Sequence, residues 1–325
     1  MKAPLIAAGF ALVASTAAAE TLTVYAPDYF ASEWGPGPAI KQAFEAECGC
    51  ELEFVTGDVL PRILLEGDRS EADVAIGLSQ DEMARAAESG LFAPHGQDVS
   101  ALTMPVTWED KTFLPFDWSH LAFIYDSTRM ETPPASFEAM LDMADDTRIV
   151  IQDPRASAAG LALVMWVQAL YGEEAGAAWE RLSPKILTVT KGWSEAYGMF
   201  TEGEADMVLS FTTSPAYHIV AEGDETKQAA IFEEGNYLYV ELAAKLAGTE
   251  QPELAQSFMD FILSDGFQTA IPEGNWSFPA KLEEAKWPEA FRNLPVPDKV
   301  LYVDAATAEA MKADAIETWR QGLSQ

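Results

Sequence analysis

The chain has 325 residues, 49% of them hydrophobic, and 52 acidic against 20 basic side chains give a formal net charge of −32 at pH 7. That length exceeds what one hydrophobic core ordinarily serves and points to two domains; the globular composition, free of low-complexity tracts, excludes a fibrous or disordered chain. So negative a field makes nucleic acid and anionic membrane surfaces poor partners, and it suits a cationic ligand without requiring one.

The elements begin with an export signal. Lys2 supplies a positive start, Leu5 to Val13 a short apolar core, and Ala17-Ala18-Ala19 a small-residue cleavage site before Glu20. The apolar run is too short for a membrane helix, which needs about 20 residues, and it lacks the periodicity of a buried amphipathic helix. No lipobox cysteine follows it, so a released periplasmic protein is expected. Leu22-Thr23-Val24-Tyr25 then reads as a strand, followed by the turn-rich Gly35-Pro36-Gly37-Pro38, a helix over Ala39 to Glu47 and a strand over Glu51 to Val55. Cys48 and Cys50 are the only cysteines; in an oxidising compartment a local disulfide between helix end and strand is favoured, with Gly49 supplying the backbone freedom. Two thiols and three histidines (His95, His120, His218) make a poor zinc site.

A short helix over Leu60 to Leu65, a buried strand from Ala72 to Leu78 and a helix over Asp81 to Ser89 complete a first α/β unit. The pattern restarts with a strand at Arg148-Ile149-Val150-Ile151, helices from about Gly160 to Tyr171 and over Glu174 to Leu182, and a strand over Ile186 to Thr190. A helix over Ser194 to Phe200 and a strand over Asp206 to Phe211 follow. Alternating strands and helices imply a mostly parallel sheet in each unit. Between the units lies the apolar strand Leu121 to Asp126, and after the second comes its counterpart Tyr237 to Ala243. The economical reading is that the chain crosses to a second lobe and returns, so that the paired crossings form a hinge and the ligand sits between the lobes. The boundaries expected are a signal over 1–19, one lobe over 20–121 and 243–280, and the other over 122–242 and 281–325, ending in an amphipathic helix at about Ala305 to Leu323.

Several segments carry a resemblance. Tyr29-Phe30 with Trp34-Gly35-Pro36-Gly37-Pro38, Gln152-Asp153-Pro154-Arg155, Lys191-Gly192-Trp193-Ser194-Glu195-Ala196-Tyr197-Gly198, Leu209 to His218, Gln251 to Gln256 and Ala270-Ile271-Pro272-Glu273-Gly274-Asn275-Trp276 are similar, in the same order, to stretches of bacterial thiamine-binding periplasmic proteins. The resemblance spans nearly all of the mature chain. It implies an α/β, two-lobed type II periplasmic binding fold. It also implies capture of thiamine, its monophosphate or its diphosphate for delivery to an inner-membrane ABC permease and its cytoplasmic ATPase, by a monomer without a cofactor.

Thiamine presents a flat aminopyrimidine and a cationic thiazolium, so its site calls for aromatic faces, a carboxylate and polar anchors. The family's aromatic positions fall on Trp34, Trp193, Phe211, Tyr217 and Trp276, with Asn275 carried over beside Trp276. Asp58, after the second strand, is the candidate counter-charge and hydrogen-bond acceptor. Ser157, Thr213 and Ser214 open helices whose free N–H groups suit a phosphate, although ordinary N-capping is the commoner role of such residues. Departures are Pro27 where an aromatic is expected, and Phe211 and Phe278 where tyrosines are typical; these bear on ligand preference more than on fold.

No Gly-x-Ser-x-Gly elbow, phosphate loop or paired metal motif is present, so no catalytic residue is expected, and Asp153-Pro154-Arg155 reads as a turn with Arg155 bridging to a carboxylate or lining the cleft. Ferric-ion binders use adjacent tyrosines where this chain has Phe211-Thr212. A polyamine or a thiamine precursor is the alternative cationic solute.

Overall fold

The computed structural model describes residues 19–324; the expected signal peptide lies outside them except for Ala19. The principal strands are β1 (Thr21–Ala26), β2 (Glu51–Thr56), β3 (Val74–Ser79), β4 (Leu114–Asp126), β5 (Ile149–Gln152), β6 (Ile186–Thr190), β7 (Met207–Phe211) and β8 (Asn236–Leu246). They line up in the order β2-β1-β3-β8-β4-β7-β5-β6. Pairing is parallel at the two ends, β1 with β2 and β3, and β5 with β6 and β7. In the middle β8 and β4 run antiparallel to each other and to their outer neighbours β3 and β7. The expected parallel sheets are therefore present, one per lobe, joined by two strands of opposite sense.

Those two strands carry the chain between two cores. Along β4, Phe116 and Trp118 pack in the first core and Leu121 and Phe123 in the second; along β8, Val240 and Leu242 belong to the first, Tyr237 and Tyr239 to the second. With 13 residues, β4 extends about 43 Å at the usual rise per residue. It is buried from Leu114 through Tyr125. Sequence reading placed the crossing strand only from Leu121 onward, because Asp117, Ser119 and His120 interrupt the apolar run; the ladder nevertheless continues through them to Leu114.

The helices obey their own patterns. Pro252–Ile262 buries Leu254, Ala255, Phe258, Met259, Phe261 and Ile262, one amphipathic face and its flank. Ala158–Tyr171 is buried continuously from Ala159 to Val167 because it lies between the crossing strands and the C-terminal helix Ala305–Gly322. That last helix starts on an Asp304 cap and adds Ala308, Ala315 and Trp319 to the second core. The preceding stretch, assigned from sequence to the second lobe, contributes Phe291 and Leu294 to the first. Helix Gly37–Cys48 ends on left-handed Gly49, after which Cys50 turns back to form a disulfide with Cys48.

One close approach shapes the loop after β1. Gly77 has φ +82°, and a Cβ on it would lie 2.4 Å from Pro27 Cγ. The proline thus sits on the backbone of β3, in the space that a larger residue at position 77 would occupy.

Candidate functional site

From the second lobe, Gly192 in extended conformation starts helix Trp193–Thr201, which leaves Trp193 at the surface, 36% exposed. Its indole N–H donates to Ser210 Oγ at 2.7 Å, and its ring stacks on Tyr197 with centroids 4.7 Å apart. Tyr197 in turn lies against His218, hydroxyl to Nε2 2.9 Å, and His218 Nδ1 meets Glu222 at 2.7 Å. Tyr217, 39% exposed, stands edge-on to His218. The exposed aromatics are thus backed by a polar chain that fixes their planes.

From the first lobe comes Trp276. It is the one non-glycine residue with positive φ among the described residues, at +52°. That left-handed backbone, costing roughly 1–2 kcal/mol for an L-residue, directs the indole so that it stacks on Phe291 and meets Tyr217 edge to face at 5.2 Å. Two residues predicted from separate motifs, one per lobe, are brought together here.

On the crossing strands, β4 and β8 place Asp117 opposite Glu241. Asn275 Nδ2 donates to Asp117 Oδ2 at 2.5 Å and to Glu241 Oε2 at 2.6 Å, and the Tyr29 hydroxyl donates to Glu241 Oε1. Both carboxylates are buried and lie within hydrogen-bonding reach of each other. Burial, reinforced by the charge of Glu241, pushes the Asp117 carboxyl well above the usual carboxylate range, and burial also raises Glu241. Sequence reading missed this pair. Its signal was an acid within the aromatic run Leu114-Pro115-Phe116-Asp117-Trp118 and another inside the apolar run of β8.

The remaining candidates divide. Trp34 is 59% exposed on the turn before helix Gly37–Cys48, and Asp58 is exposed at the start of helix Val59–Glu66 without capping it. Phe211 packs on Tyr239 at 5.2 Å. The hydroxyls of Thr213 and Ser214 turn inward: Thr213 to Ser119 at 3.0 Å, Ser214 to Ser210 at 2.7 Å and to the Phe211 N–H. Ser157 caps its helix by accepting the Gly160 N–H at 3.3 Å. Asn275 spends its amide N–H groups on the two acids. Arg155 folds back on Asp153, Nε to Oδ1 2.8 Å, as the turn reading expected. Among the described residues one set of side chains, His218, Glu222 and Asp224, has metal-ligand spacing, but the Lys227 ammonium already stands 3.0 Å from Asp224. No helix among these residues is long and apolar enough to cross a membrane.

The profile described as bacterial extracellular solute-binding protein matches residues 10–269. The chain is 45% identical over 308 residues to the thiamine-binding periplasmic protein of Escherichia coli, covering 94% of each, and 40% identical over 276 residues to that of Haemophilus influenzae, covering 83% of this chain and 82% of the relative. A solved periplasmic thiamin-binding protein superposes with a TM-score of 0.91 at 44% identity, over 94% of this chain and 97% of that one. Iron-bound HitA from Pseudomonas aeruginosa shares the fold at a TM-score of 0.77 and 23% identity, over 93% and 99% of the two chains.

Proposed function

The chain belongs to the bacterial extracellular solute-binding proteins, and from that membership we propose that it captures thiamine or a thiamine phosphate between its lobes and hands it to an ABC permease powered by a cytoplasmic ATPase. One observation carries the reading: Tyr217 and Trp276, from opposite lobes, meet next to Asn275, which holds two buried acids. Aromatic faces and a negative charge are what a flat cationic heterocycle demands, and each ring that faces a cation in a desolvated site contributes about 0.5–2 kcal/mol.

In this reading Trp193, Tyr217 and Trp276 hold the two heterocycles, with Trp34 at the rim. The Asp58 carboxylate accepts from the aminopyrimidine, and the helix opened by Ser157 receives a phosphate when one is present. Thr213, Ser214 and Asn275 serve at one remove, by fixing the walls through the hydrogen bonds just described. The protein works as a monomer in the periplasm after losing its signal, releases its ligand unchanged and needs no cofactor. Phe211 and Phe278, which lack a tyrosine's hydroxyl, set the preference among thiamine and its phosphates.

The test is calorimetry of the mature protein with thiamine, its mono- and diphosphate, putrescine and ferric citrate. Tight binding confined to the thiamine series is the expected result. Robust binding of putrescine or ferric citrate, with none of the thiamine series, overturns the proposal.

A further inference from the structure

We propose that Asp117 and Glu241 together hold a single negative charge that selects a cationic ring over a neutral one in the cleft. The inference rests on the thiamine reading and adds to it the group that senses the ligand's charge.

The donors around the pair locate that charge. Both oxygens of Glu241 accept, one from the Tyr29 hydroxyl and one from Asn275 Nδ2. Asp117 Oδ2 accepts from the same amide, whereas its Oδ1 has no partner among the described residues. Two adjoining buried carboxyls do not both ionise, because each charge opposes the other in a poorly screened interior. Donors thus reach both oxygens of Glu241 and only one of Asp117, which favours the charge on Glu241 and the proton on Asp117. Burial raises both groups, so the pair resists carrying two charges.

No lysine, arginine or histidine among the described residues forms an ion pair with either acid; the groups acting on them are Tyr29, Asn275 and each other. Removing a charge from water without a counter-ion is costly, and proteins ordinarily pair such a charge. Here it lies under Asn275, whose chain neighbour Trp276 reaches Tyr217 across the cleft. A cation held by those rings supplies the missing partner through low-dielectric protein, with no need for direct contact. A purely structural role, anchoring the 271–276 segment to the crossing strands, would serve neutral and cationic ligands alike, and that difference makes the two roles separable.

The experiment compares thiamine with a neutral isostere in which a thiophene replaces the thiazolium, by calorimetry on mature wild type and Glu241→Gln. Glutamine keeps the shape and removes the charge: its carbonyl accepts from Asn275, and its amide N–H donates to the Tyr29 hydroxyl, which turns to accept. Wild type is expected to favour thiamine, and the variant to lose about tenfold or more of that preference while holding the isostere nearly unchanged. Equal weakening of both ligands, or no change in their ratio, overturns the inference and leaves the thiamine reading standing. A wild type that binds neither ligand overturns both.

Should the variant fail to fold, the same ratio is followed in wild type from about pH 8 to about pH 5. The aminopyrimidine is common to both ligands, so its own titration cancels. Of the groups facing the pair, Tyr29 and Tyr239 are raised by burial and stay neutral across this range; Asp81 and Glu82 act on Tyr239 from the end of β3, and because burial lifts Asp81 to about 7 the scan is repeated in Asp81→Asn, which lacks that titration. As the pH falls the pair takes up its second proton, and the preference for thiamine is expected to shrink. A ratio that stays flat overturns the inference.

Discussion

Trp276 and Tyr217 meet edge to face, ring centroids 5.2 Å apart and planes at 87°, with each residue supplied by a different lobe. Aromatic pairs of this geometry contribute roughly 0.5–1.5 kcal/mol beyond the area they bury. The contact therefore favours apposition of the lobes.

Trp193→Ala is expected to weaken thiamine binding about tenfold or more while moving the melting temperature little. Trp193 is partly exposed and its indole N–H ends on Ser210, whose hydroxyl keeps Ser214 as a partner when the indole is gone. Calorimetry paired with thermal melting checks both halves. A large loss of stability with intact affinity would make Trp193 a packing residue.

Trp276 separates ring from backbone. Both Trp276→Ala and Trp276→Gly remove the indole from Phe291 and Tyr217, so both should bind poorly. Only glycine adopts φ +52° without penalty, so the glycine variant should be about 1 kcal/mol more stable than the alanine variant. Denaturant titration of the two proteins gives the comparison, and equal stabilities would mean that the strain is absent.

Asp81 gives the folded protein a pH dependence. Burial lifts its carboxyl to about 7, and it accepts a 2.7 Å hydrogen bond from the Tyr237 hydroxyl. An unfolded aspartate ionises near 3.9, so between about pH 4 and pH 7 the unfolded chain gives up a proton that the folded chain retains, and stability falls as pH rises, by at most roughly 4 kcal/mol. Asp81→Asn keeps an acceptor for Tyr237 and removes the titration. Its melting temperature relative to wild type should climb from pH 5 to pH 8, and a pH-independent difference would contradict the assignment.

The Cys48–Cys50 disulfide closes a loop of sequence separation 2, so little chain entropy is at stake. Loop-closure reasoning gives about 1.5 kcal/mol for so short a ring. A Cys48→Ser, Cys50→Ser double variant is expected to lose no more than that and to keep its ligand affinity. Melting with and without reductant, followed by calorimetry, provides the check.

The local placement of the candidate aromatics was legible in the sequence because they stand in contiguous motifs. Trp193 opens a helix after Gly192, Tyr217 follows a Ser-Pro start, and Trp276 follows a short helix, each a local signal. The inward turn of Thr213 and Ser214 was not legible, since a hydroxyl at a helix start serves a cap, a ligand or a neighbour equally well until its surroundings are known. In the structure those surroundings are Ser119 and Ser210.

The sequence by itself determined the alternation of strands and helices, the restart of the pattern in a second unit and the two apolar crossings, because each follows from the period of its own side chains. Tertiary structure alone decided the pairing of two buried acids. Asp117 and Glu241 lie on strands far apart along the chain, and either one read alone is an acid in a chain of 52. Only the antiparallel register of β4 and β8 sets them side by side, and only burial there, with Asn275 and Tyr29 as donors, turns two ordinary carboxyls into a single retained charge.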